Sequence, residues 1–243
     1  MNFNSVENLD VRLLLWINRF VGTSVKLDHG LVFFAENPTL RFILPSLLLW
    51  ILWFSAKTSD EQRARMLSGI IGCYAAALLS RFGQILVVVH TRPILSRLLP
   101  VKIAPRIDIA SWSRAGNFNS FPSDFACLFF AIATVIFFVN KKFGVLAYLW
   151  SFVVGGAVRV YLGIHFPLDV LAGATLGVVA VAVFSLEFIY ARLTPLVRLA
   201  STRPVVFYPV FVLMVEQMWD AFSGVVFVGL AIVKLFGALS RHL

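Results

Sequence analysis

Long apolar runs without charged side chains constrain the fold of this 243-residue chain more than any other feature of its sequence. Residues 42–56, 125–139, 143–158 and 170–186 contain no Asp, Glu, Lys or Arg. Only 14% of all residues are charged and 60% are hydrophobic, whereas a soluble domain usually carries about a quarter charged residues. A helix of roughly 20 apolar residues crosses the hydrocarbon core of a bilayer. The pattern therefore predicts an all-α, polytopic integral membrane protein.

Five transmembrane helices are expected from these runs, and a sixth is left open at the C-terminal end. The predicted spans lie at about 38–56, 66–90, 122–139, 143–162 and 167–189. Arg41, near the start of the first span, is expected to extend its guanidinium group towards the membrane interface. The last apolar stretch, 204–238, is interrupted by Glu216, Gln217 and Asp220. As one helix it would be about 50 Å long, so we expect a helical hairpin, or an interfacial helix followed by a sixth span.

The first part of the chain is amphipathic rather than continuously apolar. Within residues 10–36, apolar and polar side chains alternate at roughly helical spacing, with Leu13, Leu14, Trp16 and Ile17 set against Arg12, Asn18 and Arg19. We expect an N-terminal helix that lies in the membrane interface. We expect no cleavable signal peptide, because this region has no uninterrupted apolar core. The chain is thus divided into an interfacial segment, 1–37, a transmembrane core, 38–190, and a hydrophobic extension, 191–243.

Basic residues indicate how the predicted spans are oriented. The net charge is +9, and many of the Lys and Arg residues lie in the short connections 57–65, 140–142 and 191–203. By the positive-inside rule these connections are cytoplasmic, which puts 91–120 and the turn around 163–167 on the outer face. A basic chain can also bind nucleic acid, but we find no nucleic-acid motif and no soluble region to carry one. The expected partners are the bilayer and its lipids, and the oligomeric state is left open.

Three side chains that can act on a phosphate are expected at that outer end of the bundle. Arg159 lies near the end of one span; after a turn at Gly163, His165 and Asp169 lie four residues apart at the start of the next. Arginine can hold a phosphate, histidine can attack it, and aspartate can orient and stabilise the imidazole. Taken singly, each residue is explained equally well without a function, for example as a histidine at the membrane interface or an aspartate that caps a helix. The three at this spacing favour a functional site.

The stretch from Val158 to Asp169 resembles the third signature of the type 2 phosphatidic acid phosphatase superfamily, S-R-x5-H-x3-D, with valine in place of the serine. Residues 119–125, N-S-F-P-S-D-F, resemble the second signature, P-S-G-H or P-S-D-H, and Thr91-Arg92-Pro93 resembles the end of the first, K-x6-R-P. The three occur in the family's order across about 81–173. The amphipathic beginning and the P-S-D variant are most similar to the bacterial undecaprenyl-pyrophosphate phosphatases of the bacitracin-resistance type.

This resemblance implies a lipid-phosphate phosphatase in the bacterial inner membrane, with its site facing the periplasm or exterior. The reaction implied most specifically is the hydrolysis of undecaprenyl diphosphate to the monophosphate. His165 would be the nucleophile that forms a phosphohistidine, and Asp169 would form a hydrogen bond with its imidazole. The phosphate would be bound by two arginines and the start of the third span, namely by Arg92, Ser123, Asp124 and Arg159. The resemblance implies no cofactor and no metal, since fixed guanidinium groups can stabilise the transition-state charge.

Two positions depart from the family's pattern, and the first is a missing lysine. The first-signature lysine, seven residues before Arg92, is Ile85 here. Arg81 and Gln84 are polar groups otherwise hard to explain in a span, and they are candidates for an accessory role in its place. Alternatively, Arg81 pairs with a lipid phosphate or with a buried carboxylate.

The second departure is Phe125, at the position where the second signature has the histidine that protonates the leaving group. Phenylalanine transfers no proton, and general acid catalysis typically contributes 10²–10⁴-fold. The neighbouring Asp124 points about 100° away on a helix. Three explanations are open: an enzyme that favours diphosphates, whose phosphate leaving group needs less protonation; a natural inactive relative that binds or transports lipid phosphates; or an engineered substitution. The intact Arg159, His165 and Asp169 favour the enzyme.

Overall fold

The computed structural model describes residues 5–86, 91–110 and 119–219, and within these ranges the chain forms helices and no strand. The helices are α1 Ser5–Asn18, α2 Val25–Glu36, α3 Pro38–Phe54, α4 Asp60–Leu86, α5 Asp124–Val139, α6 Lys141–Tyr161, α7 Pro167–Phe184, α8 Glu187–Thr202 and α9 Pro204–Trp219. A short 3-10 turn, Pro93–Leu95, lies between α4 and α5, and an isolated bridge pairs Thr91 with Asn119. The prediction of an all-α fold is confirmed.

Helix α5 lies at the centre of the described bundle, packed against α4, α6 and α7. Its contact with α7 is especially close, because a Cβ atom at Gly173 or Gly177 would collide with the carbonyl oxygens of Ser123 and Cys127. Small residues allow membrane helices to approach in this way. The close approach holds the N-terminal ends of α5 and α7 side by side, where the predicted site residues lie.

Three described helices are each long and apolar enough to cross a bilayer: Asp60–Gln84 within α4, and the whole of α6 and α7. Helices α2 and α3 reach that length and hydropathy together, with a bend of 64° between them, and so do α8 and the Pro204–Val215 part of α9, with a bend of 119°. Helix α5 is shorter but apolar. If each bent pair is one span, the described residues contain up to five candidate spans. The predicted number of five or six stays a prediction, and residues 220–238 of the last apolar stretch lie outside the described part.

The start of α4 differs from the sequence-based expectation. The predicted span begins at about residue 66, whereas α4 begins at Asp60. Ser59 and Gln62 form a reciprocal cap, in which the Gln62 N–H donates to Ser59 Oγ at 3.2 Å and the Ser59 N–H donates to Gln62 Oε1 at 2.9 Å. A Ser-x-x-Gln box and an acidic first turn both stabilise a helix N-terminus. Much of the predicted connection 57–65 is therefore helical.

The N-terminal segment forms two helices, α1 and α2, that cover the turn after α6. Leu14 of α1 is fully buried and packs in one cluster with Phe166. Asn18, at the end of α1, donates from Nδ2 to the Tyr161 carbonyl at 2.8 Å. The segment is thus attached to the bundle by apolar and polar contacts, and its predicted position in the membrane interface stays a prediction.

Helix α9 packs against α3 through aromatic rings. The ring centroid of Trp53 is 5.6 Å from that of Phe207 and 4.8 Å from that of Phe211. Trp53 Nε1 also donates to the Tyr208 hydroxyl at 3.2 Å. The predicted extension 191–243 therefore contributes to the bundle through α9, while its boundary at residue 190 stays a prediction.

Candidate active site

A buried arginine–histidine pair lies at the end of the bundle where α5 and α7 begin. Arg92 Nη1 is 3.0 Å from His165 Nε2 and donates to the Ile164 carbonyl at 3.3 Å. The two side chains are 1% and 0% exposed. The backbone after Arg92 is tied to the same place, because the Ile94 N–H donates to the Gly163 carbonyl at 2.7 Å. The fold thus brings together two predicted site residues that are 73 positions apart.

The hydrogen-bond partners of His165 define its tautomer. Nδ1 lies 3.0 Å from the Ser120 carbonyl oxygen, which can only accept, so Nδ1 carries the hydrogen. Nε2 then has a lone pair, which accepts a hydrogen bond from Arg92. Asp169 Oδ2 is 3.7 Å from Nδ1, close enough to stabilise positive charge on the ring. The neutral imidazole therefore points its unprotonated nitrogen, Nε2, at Arg92.

The surroundings of His165 lower its pKa. Burial is the largest cause, because an imidazolium ion loses its hydration there, and the charge of Arg92 acts in the same direction. Asp169 and Asp124 act against this shift. The balance favours the neutral imidazole, which is the form that can attack a phosphorus atom.

Local backbone preferences place His165 and Asp169 next to each other. Gly163 adopts a φ of +69°, a left-handed conformation that glycine tolerates best and that ends the preceding helix. Pro167 occupies the first turn of α7, where a helix needs no N–H from it. Asp169 Oδ2 accepts from the Phe166 N–H at 2.8 Å, which caps α7. The turn at Gly163 and the capped start of α7 thus hold the His165 imidazole and the Asp169 carboxylate next to each other.

The N-terminus of α5 points into the same region. Ser123 is its N-cap, with Oγ accepting from the Ala126 N–H at 3.3 Å. The Ser123 N–H donates to the Asp169 carbonyl at 3.0 Å. A helix N-terminus presents N–H donors and a partial positive charge to an anion. The structure thus places Ser123 beside Asp169, at an end of α5 suited to a phosphate.

Arg81 and Gln84, two polar side chains near the C-terminal end of α4, lie against the start of α5. Arg81 Nη2 is 3.0 Å from Asp124 Oδ2, and Arg81 Nη1 donates to Gln84 Oε1 at 3.2 Å. Gln84 Nε2 donates to the Pro122 carbonyl at 2.8 Å. Of the alternatives for Arg81, the structure contains the pair with a buried carboxylate. The phosphate contact predicted for Asp124 stays a prediction, and the side chain of Ile85 lies outside the described residues.

The Phe125 ring contacts two buried arginines. The ζ carbon of Arg159 is 4.0 Å from the ring centroid and that of Arg41 is 4.6 Å from it, both within the roughly 6 Å typical of a cation–π contact. Arg159 is also within electrostatic reach of Arg92 and Asp124. The expectation that Arg41 extends to the membrane interface is wrong, because its side chain turns into the protein and the residue is only 7% exposed.

Most of this charged cluster lies within a region that matches a known family. The model of the PAP2 superfamily matches residues 71–192, about half of the chain. The chain belongs to the PAP2 superfamily. The resemblance to type 2 phosphatidic acid phosphatases is thereby confirmed, and Arg92, Ser123, Arg159, His165 and Asp169 all lie within the matched region.

Of three proteins similar to this PAP2 chain, two carry the names of phosphatases. The bacitracin transport permease protein BcrC of Bacillus licheniformis is 31% identical over 195 residues, which are 78% of this chain and 88% of that protein. The undecaprenyl-diphosphatase BcrC of Bacillus subtilis is 26% identical over 176 residues, covering 71% and 77% of the two chains. The lipid A 4'-phosphatase of Bacteroides thetaiotaomicron is 34% identical over 141 residues, covering 55% and 60%.

A solved structure shares the fold. The crystal structure of Aquifex aeolicus LpxE matches with a TM-score of 0.52 and 23% sequence identity, over 75% of this chain and 96% of that chain. At this identity the similarity concerns the arrangement of helices and not the substrate.

Two residues that contact the candidate site were not among the predicted ones. Arg41 lies outside the matched region 71–192, and the signal that the sequence contains is an arginine within an otherwise apolar helix. Ser120 contributes its backbone carbonyl to His165. Since every residue has a carbonyl group, no sequence pattern could have identified that contact.

Proposed function

We propose that this PAP2 protein hydrolyses a lipid diphosphate in the bacterial inner membrane, with undecaprenyl diphosphate as the leading substrate and the monophosphate as product. The observation that carries the proposal is the buried His165, whose Nδ1 is fixed by a carbonyl and whose Nε2 meets Arg92 at 3.0 Å. The name of the Bacillus subtilis relative, undecaprenyl-diphosphatase, supports the choice of substrate. The site faces the periplasm or exterior in this proposal, since the basic connections are assigned to the cytoplasm.

The proposed reaction has two steps at His165. Nε2 attacks the terminal phosphorus, the bond from that phosphorus to the bridging oxygen breaks, and the lipid monophosphate leaves with the electron pair. Asp169 stabilises the positive charge that forms on the imidazole ring. Water then hydrolyses the phosphohistidine and releases inorganic phosphate. Arg92, Arg159 and the N–H groups at the start of α5 bind the phosphoryl oxygens, where fixed charges lower the barrier.

The second candidate is a protein that binds or transports lipid phosphates without hydrolysing them. The observation in its favour is Phe125, because an aromatic ring packed against Arg159 at 4.0 Å transfers no proton to a leaving group. A diphosphate substrate reduces this difficulty, since a departing phosphate monoester is stable as an anion. The histidine and the carboxylate 3.7 Å from its ring favour the enzyme, because binding alone needs neither of them.

The decisive experiment measures phosphate release by the purified protein from undecaprenyl diphosphate, undecaprenyl monophosphate and phosphatidic acid. We expect the diphosphate to be hydrolysed and His165→Ala to abolish the activity. Phe125→His supplies an acid and should raise turnover at least tenfold, within the 10²–10⁴ usual for a positioned acid. The gain should be larger for the monophosphate, because its lipid alkoxide leaving group depends more on protonation.

Binding without turnover identifies the alternative. If neither the unchanged protein nor a folded Phe125→His variant hydrolyses any of the three lipids, the enzyme proposal is wrong. In that case orthophosphate should still raise the melting temperature, and Arg159→Ala should remove this stabilisation.

A further inference from the structure

We propose that Arg41 of α3 binds the second phosphate of a diphosphate substrate and stabilises it as it leaves. This inference rests on the function proposed above and names the residue that makes the site selective for diphosphates. Arg41 precedes the region matched by the PAP2 model, so the family resemblance assigns it no role.

The first argument is position. Arg41 lies in the first turn of α3, which begins at Pro38 after an Asn37 cap. Trp150 Nε1 donates to the Arg41 carbonyl at 2.8 Å, which fixes this turn against the middle of α6. The same helix carries Arg159 near its C-terminal end. The Arg41 side chain then reaches the Phe125 ring, 4.6 Å from its centroid. Phe125 is in the first turn of α5, the helix start that faces the proposed phosphate site.

The second argument is charge. Among the described residues, Arg41 and Arg92 are the cations that act on Arg159, and Asp124 and Glu36 are the anions. Asp124 already lies 3.0 Å from a further cation, Arg81, and Glu36 is exposed. Three buried guanidinium groups thus lie close together, with that of Arg159 influenced by those of Arg41 and Arg92, and such a group of cations attracts an anion that carries several negative charges. A diphosphate, which carries more negative charge and extends further than orthophosphate, matches a cluster of arginines better.

The third argument is chemical. When the bond to the terminal phosphorus breaks, the electron pair stays on the bridging oxygen of the lipid monophosphate. Phe125 donates no proton to that oxygen, so its negative charge has to be stabilised by fixed cations. A guanidinium group forms two parallel hydrogen bonds with a phosphate. The Phe125 ring holds the guanidinium group of Arg41 by a cation–π contact, and thus prepares the cation for the leaving group. No proton transfer is needed in this step.

The test compares Arg41→Gln with Arg65→Gln as a matched control. Arg65 also lies over aromatic rings, 4.7 Å from the Phe138 centroid, but on the first turns of α4, where no site residue lies. We expect Arg41→Gln to lower kcat/KM for a polyprenyl diphosphate at least about tenfold, the usual effect of losing a charged hydrogen bond. The value for the corresponding monophosphate should fall less than threefold. Arg65→Gln should change both values less than threefold, and Arg41→Lys, which keeps the charge, should recover part of the loss.

A binding measurement keeps the inference testable whether or not the protein turns over. Inorganic pyrophosphate and orthophosphate are titrated while the melting temperature is followed. Arg41→Gln should weaken pyrophosphate binding at least tenfold and orthophosphate binding less than threefold. Equal losses for the two anions, or for the two lipids, would mean that Arg41 only supports Phe125 and Arg159, and the inference would be wrong. If Arg41→Gln is not folded, the same comparison with Arg41→Lys decides.

These outcomes separate the inference from the proposed function. Hydrolysis that depends on His165 but shows no selective effect of Arg41 overturns the inference and leaves the function standing. Selective loss of pyrophosphate binding in a protein without turnover supports binding of the second phosphate by Arg41 and overturns both hydrolysis and the stabilisation of a leaving group.

Discussion

The imidazole of His165 joins three segments that are distant in the sequence. Arg92 comes from the 3-10 turn region, the Ser120 carbonyl from the segment before α5, and Asp169 from the first turn of α7. Because Ser120 accepts through its backbone, the tautomer depends on the path of the chain and not on a particular side chain. The nitrogen that we propose as the nucleophile is thus defined by the fold, while the basicity of the imidazole is adjusted by two charges of opposite sign.

The opposite charges predict opposite pKa shifts in two variants. In the unchanged protein the pKa of His165 should lie below the ordinary value of about 6.5, because burial is the largest influence. Asp169→Asn removes a negative charge that favours the imidazolium and should lower this pKa further. Arg92→Gln removes a positive charge and should raise it. NMR titration of histidine-labelled protein in detergent measures the shifts, with His165→Asn to assign the resonance.

His29 of α2 acts as an internal control in that titration, because its resonance should not move between the variants. Shifts of the same sign in Asp169→Asn and Arg92→Gln would contradict the electrostatic account of the site.

At the scale of single helices, α1 is attached to both loops that carry site residues. Asn18 Nδ2 donates to the carbonyls of Tyr161 and Lys102, at 2.8 and 3.0 Å, and Asn18 Oδ1 accepts from the Lys102 N–H at 2.7 Å. Lys102 belongs to the segment that begins near Arg92, and Tyr161 directly precedes the turn of His165. One buried amide therefore links the two backbone segments that bring Arg92 and His165 together.

Asn18→Asp should loosen this link without changing the size of the side chain. The carboxylate keeps the acceptor for Lys102 but loses both donors and faces two carbonyl oxygens. We expect a loss of about 1–3 kcal/mol in stability and a fall in kcat of roughly tenfold or more, since small displacements of reacting groups slow catalysis strongly. Asn140→Asp is the matched control, because Asn140 caps α6 by accepting from the Phe143 N–H and aspartate caps equally well. Similar losses in both variants would refute a specific role for Asn18.

The sequence predicts helices well where an apolar run and a cap agree, and less well where they do not. The start of α3 at Asn37-Pro38 and the helix from Pro167 follow from their caps. The predicted start of the second span, at about residue 66, is later than the start of α4 at Asp60, because the first turn of α4 is charged. Contacts across the bundle, such as Asn18 with Tyr161 or Arg41 with Phe125, depend on how helices pack, and no local pattern contains that information.

At the scale of the whole molecule, the site residues of α5, α6 and α7 lie at one end of the helices. This follows from antiparallel neighbours joined by short connections: α5 begins at this end, α6 returns to it, and α7 begins there again. The connection at the opposite end, Asn140 to Lys142, is basic and its lysines are exposed. The candidate site and the basic connection 140–142 therefore lie at opposite ends of the helices, and this holds for either orientation of the protein in the membrane.

The positive-inside rule converts this separation into a prediction of topology. Leu98, 71% exposed in the segment after Arg92, should lie outside, and the exposed Lys142 should lie in the cytoplasm. In intact cells, an impermeant thiol reagent should therefore label Leu98→Cys and not Lys142→Cys, and both variants should react once the membrane is permeabilised. The two native cysteines, Cys73 and Cys127, are buried, so the unchanged protein is the control for background. Labelling of Lys142→Cys alone in intact cells would place the phosphate site in the cytoplasm. Substrate would then have to reach it from the inner leaflet, and the proposed hydrolysis at the outer face would be wrong even if His165 were the nucleophile.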